Sequence, residues 1–321
     1  MLATKMLQLF INVFCPLAVG YVLKRSGKMG PGACKALMLV NVYIILTVMN
    51  LLSFWILPVD ASLLIIPVLS VLGALISGGM GYFTFGRSFA SIMERGSYTI
   101  SCMLSNIGTL AGLAGFVIYG EVSYAYTQLY AMSQNIMMVM FVFPLAQYFR
   151  SQAHQKDEQQ EWHFHLREAL FTKKQMSLLG VLVGIALHLA DVPRPDAVGT
   201  FFRIMIPLRP WIVMLPVGYQ IDFGNAKLFY KKTLSMIPLR YVLVPAVIYC
   251  IARTVFTDPV VLGSILVAAA APVAINAVIT NTLYELNVDL TVASFITTTI
   301  SYIVLFIPVM YILVHNFGIL S

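Results

Sequence analysis

The chain has 321 residues, of which 60% are hydrophobic and 10% charged, and its mean hydropathy is +0.86. Because this number of charged residues is too small to cover the surface of a soluble domain of this size, the composition indicates a polytopic membrane protein. The formal net charge of +7 raises the question of a nucleic-acid partner, which the distribution of the basic residues answers below.

Ten apolar stretches follow one another along the chain, and we number them spans 1 to 10. They are predicted at residues 6–23, 36–57, 61–85, 96–117, 123–149, 175–190, 199–220, 234–255, 260–283 and 291–316. Most reach the roughly 18–20 residues that a helix needs to cross the hydrocarbon of a bilayer. The sequence therefore predicts an all-α polytopic membrane protein with ten transmembrane helices.

Spans 4 and 9 are interrupted by residues that break helices. In span 4 the stretch Ser105-Asn106-Ile107-Gly108 precedes Gly112, and in span 9 Ala271-Pro272 precedes Asn276. Hydrocarbon offers no partner for a freed backbone N–H or C=O group, so a break inside a span is tolerated where it lines a cavity. A matched pair of broken spans is the best sequence indication of the binding site of a secondary transporter.

The two halves of the chain have the same pattern of spans. A shift of 170 residues, which superposes Asn106 on Asn276, places spans 1, 2, 3 and 5 over spans 6, 7, 8 and 10. Each half holds an odd number of spans, so the second half enters the membrane from the opposite side. We therefore expect a five-plus-five inverted repeat, residues 1–149 and 175–321, in which the broken helices 4 and 9 cross.

A hydrophilic linker at residues 150–174 joins the halves. Within it, residues 161–170 are predicted to form a short amphipathic helix on the membrane surface. His163 and His165 lack a third metal ligand nearby, so neither a metal nor another cofactor is expected.

The basic residues are concentrated in the loops of one membrane face. These loops contain Lys24, Arg25, Lys28, Lys35, Arg87, Arg95, Arg150, Lys156, Arg167, Lys173, Lys174, Lys227, Lys231 and Lys232. The positive-inside rule then places the linker in the cytoplasm and both termini outside the cell inner (plasma) membrane. The positive charge is thus interpreted as a topology signal, and no nucleic-acid partner is expected.

Polar side chains at the two breaks are the candidate substrate-binding residues. The N-terminal end of a half-helix exposes unpaired N–H groups and about half a positive charge, so two such ends suit a carboxylate. Asn106 and Asn276 add amide groups there, and Ser105 and Thr109 add hydroxyls. The alternative is that these polar groups only hold membrane helices together.

Three further residues are candidates to shape the crossover. Pro272 lacks a backbone N–H and is expected to stop the helix of span 9. Gly108 and Gly112 are expected to let the two broken spans approach closely.

Amides inside other spans are further candidate pocket residues. Asn50 in span 2 and the pair Gln134-Asn135 in span 5 lie near the middles of their spans, where an amide must face protein or water. Plain interhelical hydrogen bonds are the alternative role for all three residues.

Ionisable residues are scarce inside the spans. No carboxylate lies mid-span, so transport is expected to be uncoupled or to use a group at a span end, such as Asp222. Arg209, within Pro207-Leu208-Arg209-Pro210, is expected to reach the outer surface along its stem rather than to bind an anion. The zinc-protease, nucleophile-elbow and phosphate-loop signatures are absent, so an enzyme is not expected.

The motifs around the breaks resemble those of the auxin efflux carrier family. Span 4 is similar from Ser105-Asn106-Ile107-Gly108 to Tyr119-Gly120-Glu121, and span 9 from Ala271-Pro272 to Asn276-Ala277. The closing Thr297-Thr298-Thr299-Ile300-Ser301 is similar to the family's last span. The chain departs from the family where Gly112-Leu113-Ala114 and Thr47 stand in place of prolines.

The resemblance implies an elevator-like or rocking carrier with its substrate site where spans 4 and 9 cross. Asn106, Asn276 and Pro272 match the crossover positions of the family. The implied substrate is a small organic anion, such as malate, malonate or an indole acid, with export as the expected direction and a homodimer as an allowed assembly. Two rival functions remain, a sodium-coupled symporter of the bile-acid type and a transporter-like ligand sensor.

Overall fold

The structure is a computed structural model that describes residues 2–58, 60–153, 176–221 and 226–315. Within these residues seven helices are long and apolar enough, by length and composition, to cross a membrane. Three shorter apolar helices, Ile107–Tyr119, Ser177–Leu189 and Pro259–Ala269, belong to spans 4, 6 and 9. The protein is an all-α membrane protein. The predicted surface helix at 161–170, the two linker histidines and Asp222 lie outside the described residues.

Twelve main helices follow one another along the described part of the chain. They are α1 (Leu2–Arg25), α2 (Pro31–Phe54), α3 (Ile65–Phe83), α4 (Ile92–Met103), α5 (Ile107–Tyr119), α6 (Glu121–Ala153), α7 (Met176–Leu189), α8 (Asp196–Gln220), α9 (Tyr230–Ala252), α10 (Pro259–Ala269), α11 (Ile275–Leu283) and α12 (Val288–His315). Spans 4 and 9 each supply two helices, α4 with α5 and α10 with α11, so the interruptions expected in both spans are present.

Polar caps set where several helices begin. The Ser91 hydroxyl accepts the N–H of Met93 at the start of α4, and the Asp258 carboxylate accepts the N–H of Val260 at 2.7 Å at the start of α10. Asn287 caps α12 in the same way. Span 4 was predicted to begin at residue 96 and span 10 at 291, several residues late, because hydropathy locates an apolar stretch and not the cap before it.

The helices pack in two groups. The first group contains α1, α2, α7 and α8, with α1 against α8 and α2 against α7. The second group contains α3 to α6 and α9 to α12, and it holds both interrupted spans. Glycines bring the backbones of the first group together: a Cβ added at Gly218 of α8 would lie 2.0 Å from the Leu17 carbonyl oxygen of α1. Such close packing of small residues is how membrane helices associate without a hydrophobic driving force between them.

Candidate functional site

The two interrupted spans meet through extended backbone. Residues 104–106 and 272–274, which we call the crossing, run antiparallel and form a single β-bridge between Ser105 and Val273. The Asn106 N–H donates to the Pro272 carbonyl at 2.7 Å, and the Ala274 N–H donates to the Leu104 carbonyl at 3.0 Å. Backbone groups freed by one break thus pair with those freed by the other, which removes the penalty of leaving them unpaired.

The β-bridge fixes which residues of the crossing face each other. Asn106 lies opposite Pro272 and Leu104 lies opposite Ala274, on either side of the pair Ser105 and Val273. Asn276 lies two residues beyond the bridged segment, so it is not the cross-strand partner of Asn106. The shift of 170 residues between the two halves stays a prediction.

A buried arginine, Arg240, binds the backbone on both sides of the crossing. It lies in a π-helical turn of α9, Leu239–Leu243, and its side chain is 2% exposed. Nη1 donates to the Ser105 hydroxyl at 2.8 Å and to the Ala271 carbonyl at 2.7 Å. Nη2 donates to three carbonyls of span 4. We call these five acceptors the Arg240 cage: the carbonyls of Ser101, Cys102, Leu104 and Ala271 and the hydroxyl of Ser105.

The Arg240 cage lies at the C-terminal ends of α4 and α10. The last carbonyls of a helix have no partner within the helix and carry partial negative charge. Arg240 donates at 3.0 Å to the carbonyl of Cys102 in the last turn of α4 and at 2.7 Å to the carbonyl of Ala271, two residues beyond the end of α10. One side chain thereby stabilises both interrupted helix ends.

Arg209 is a second buried arginine beside the crossing. Its side chain is 4% exposed, and Nη1 donates to the Gly108 carbonyl at 2.7 Å and to the Tyr124 hydroxyl at 2.6 Å. Gln128 donates to the same Gly108 carbonyl at 2.8 Å. The prediction that Arg209 reaches the outer surface is wrong, because α8 packs its guanidinium against α5 and α6. Arg209 connects the first group of helices to the second.

Neither guanidinium group has an acidic partner among the described residues. Within the part of the chain that the structure describes, the ion pairs involve Arg150, Arg194, Arg203 and Lys232, and none involves Arg209 or Arg240. Carbonyl and hydroxyl oxygens accept from the terminal nitrogens of the two arginines, but they do not neutralise the charge, and neither buried Nε has a hydrogen-bond partner within the described residues. The surroundings of the crossing therefore carry a net positive charge inside a low-dielectric interior.

The two asparagines singled out from the sequence lie at the starts of the second half-helices. Asn106 precedes α5, and its own carbonyl accepts the N–H groups of Leu110 and Ala111 at 3.2 and 3.3 Å. Asn276 is the second residue of α11. Both side chains are partly exposed, and neither amide hydrogen-bonds to any residue within the described ranges. Both amides are free to contact a ligand.

Ser105 and Gln134 also lie at the crossing. The Ser105 hydroxyl accepts from Arg240, and the Gln134 amide donates to the Ser105 carbonyl. Together with Ser70 and Tyr130 they line a small cavity of about 20 Å³, which has room for one water molecule. Ser105 and Gln134 are thus brought together by the structure, and Asn106 follows Ser105 directly in the chain.

The remaining predicted pocket residues lie in other surroundings. Asn50 is buried and donates to the Ser177 carbonyl at 3.4 Å between α2 and α7, which is the interhelical role that the sequence left open. Asn135 is exposed on α6, and Thr109 is buried in the first turn of α5. The structure places Thr109 close to the crossing but does not join Asn50 or Asn135 to the cluster.

The glycines of span 4 contact α6 rather than span 9. A Cβ added at Gly112 would lie 2.8 Å from the Gln128 amide nitrogen and 3.2 Å from the Tyr124 ring, and one at Gly108 would lie 3.5 Å from the Gln128 amide oxygen. Because α5 also contacts α10 of span 9, the expectation that these glycines let the two broken spans approach stays a prediction. Hydrogen bonds between extended backbones join the spans, and Pro272 contributes its carbonyl to them.

Sequence reasoning missed a threonine that completes the crossing. The Thr298 hydroxyl of α12 accepts the N–H of Val273 at 3.0 Å and donates to the Ser294 carbonyl at 2.7 Å. The run Thr297-Thr298-Thr299 inside an apolar span was the available signal, because hydroxyls in membrane helices commonly satisfy neighbouring backbone groups.

No protein-family model and no curated protein matches the chain. The resemblance to the auxin efflux carrier family therefore stays a prediction that depends on the order and spacing of short motifs. The function has to be argued from the residues of the crossing.

Proposed function

We propose that the protein is a secondary transporter that carries a small organic anion across the membrane by alternating access. The observation that carries the proposal is the placement of two buried, carboxylate-free arginines beside the free amides of Asn106 and Asn276. A guanidinium inside a membrane protein is expensive to bury and commonly marks a substrate or ion pathway.

The polarity of the crossing favours an anionic substrate. Both second half-helices, α5 and α11, begin there, at Ile107 and Ile275. Their first N–H groups and positive dipole ends suit a carboxylate, and Arg209 and Arg240 add a positive field. Asn106 and Asn276 supply amides that can orient the carboxylate oxygens. Small dicarboxylates and indole-type acids are the substrate classes that fit this chemistry and the family resemblance.

The arrangement of the helices supports alternating access. The second group contains the crossing, and the first group packs against it where α2 contacts α6 and where α8 contacts α5, with Arg209 donating to the Gly108 carbonyl. If one group of helices moved past the other, the crossing would become accessible first from one side of the membrane and then from the opposite side. The reciprocal hydrogen bonds of the crossing are those expected of two inverted halves, residues 1–149 and 175–321. The proposal also includes membership of the auxin efflux carrier family, export as the direction of transport across the inner membrane, and a cytoplasmic position for the linker at residues 150–174.

The test is flux through purified protein in liposomes. Carboxylates that raise the thermal stability of the purified protein identify candidate substrates, because a bound ligand stabilises the state that binds it. We expect saturable flux of these anions, strongly reduced in Asn106→Ala and Asn276→Ala. Gln152→Ala removes an exposed amide from the end of α6 and is the matched control. Unchanged flux in both asparagine variants would refute the assignment of the site.

The rival functions give different outcomes in the same assay. A sodium-coupled symporter of the bile-acid type would require sodium for flux, whereas the proposed carrier gives equal flux when choline replaces sodium. A ligand sensor would bind the anion, as measured by thermal stability, and show no flux. Each rival is thereby separated from the carrier by one measurement.

A further inference from the structure

The Arg240 cage has the composition of a metal-ion site. All five acceptors are oxygens, four of them backbone carbonyls and one the Ser105 hydroxyl, and they come from both interrupted spans. Oxygen ligands of this kind are those that hard cations prefer. Unwound backbone and C-terminal helix ends also coordinate the coupling cation in transporters with broken helices.

We propose that Arg240 is a tethered cation that fills this cage, so that the carrier works without a coupling sodium ion. The guanidinium supplies the positive charge that the helix ends require, and it is covalently fixed to α9. Shortening the side chain at position 240 would leave an oxygen-lined vacancy able to accept free guanidinium. The part of this inference that concerns transport rests on the proposed function, whereas the part that concerns the cage does not.

The details of the side chain support a charge at a fixed place rather than general packing. Nη1 and Nη2 both aim at the cage, while the buried Nε has no hydrogen-bond partner within the described residues. The unpaired Nε–H is unfavourable. The side chain is nevertheless held in this position by the hydrogen bonds that its two terminal nitrogens donate to the oxygens. Within the described residues, no other arginine, lysine or histidine side chain donates to the oxygens of the cage, so Arg240 is the positive charge in contact with them there.

The first test measures thermal stability of the purified protein and needs no substrate. We expect Arg240→Ala to unfold at a lower temperature than the wild type, and about 10 mM guanidinium to raise that temperature, because a ligand that binds the folded state stabilises it. The wild type and Arg253→Ala, which removes an exposed arginine from the end of α9, should show no such rise. An Arg240→Ala protein that responds to guanidinium no more than the wild type does would overturn the proposal.

The second test uses the wild-type protein, so it holds even where Arg240→Ala fails to fold. Anion flux into liposomes is compared in sodium and in choline, and we expect equal rates. A strict sodium requirement would overturn the tethered-cation proposal and favour the sodium-coupled symporter, while saturable flux of the anion would still show that the protein is a transporter. The converse result, guanidinium rescue of Arg240→Ala without flux of any carboxylate, would support the cage and refute the proposed function. The two proposals can therefore fail separately.

Discussion

Replacing Thr298 by valine isolates one hydrogen bond of the crossing. Thr298 is fully buried in α12, and its hydroxyl is the acceptor for the N–H of Val273 at 3.0 Å. Valine has nearly the same shape as threonine, so the substitution removes the acceptor without opening a cavity. The Val273 N–H then has no partner, since the neighbouring N–H groups of the crossing use the carbonyls of Leu104 and Pro272.

The magnitude follows from the penalty of an unpaired donor. A buried N–H that loses its acceptor costs about 1–3 kcal/mol, so we expect Thr298→Val to lower the free energy of unfolding by that amount. The loss of the Thr298 donation to the Ser294 carbonyl adds little, because that carbonyl also belongs to the helix ladder. Flux should fall as well, because the crossing is the substrate site in the proposed mechanism.

The adjacent Thr299 provides the matched control. It is equally buried, but its hydroxyl has no hydrogen-bond partner within the described residues. Thr299→Val removes an unsatisfied polar group and should leave the free energy of unfolding unchanged or raise it by up to about 1 kcal/mol. Titration of both variants with a denaturing detergent in mixed micelles measures the difference. Equal destabilisation by the two substitutions would refute the role given to Thr298.

Two further predictions concern contacts made by the first group of helices. Gly218→Ala should destabilise the protein by about 1–3 kcal/mol or more, because the added Cβ would overlap the backbone of α1. The control is Gly79→Ala, whose Cβ meets no atom within 4 Å, so it should leave the unfolding temperature unchanged or raise it. Glu121→Gln should lower the free energy of unfolding by about 1–3 kcal/mol, because the carboxylate accepts from Arg194 at 2.5 Å and from Arg203 at 3.0 Å. An unfolding temperature equal to that of the wild type would contradict this prediction.

The sequence predicted the helix breaks at the crossing better than the contacts of the side chains there. Breaks at Ser105-Asn106 and Ala271-Pro272 were readable because polar and helix-breaking residues stand out in apolar spans. The pairing between them was not readable, because a β-bridge of one residue pair leaves no periodic pattern.

The arginines show a second limit of sequence reasoning. A lone arginine in an apolar span is a signal of function, yet its position along the span does not show whether it faces lipid, solvent or protein. Arg209 lies between two prolines near the middle of span 7, and only its contacts with Gly108 of α5 and Tyr124 of α6 show that the side chain is buried in protein and does not reach the surface. The sequence suggested no role for Arg240, because four of its five acceptors are backbone carbonyls, which any residue type supplies.

The charge of the crossing explains how export could proceed without a coupled ion. An inside-negative potential of 100 mV drives a monovalent anion outwards with about 2.3 kcal/mol, enough to support a concentration ratio of about fifty-fold. The fixed guanidinium in the Arg240 cage then takes the place of a co-transported cation. A co-transported cation would cancel the charge of the anion, so the membrane potential would no longer drive transport. Export of the anion should therefore accelerate when a potassium gradient with valinomycin makes the cytoplasmic side negative. Flux that ignores this potential and requires a proton gradient would contradict the argument.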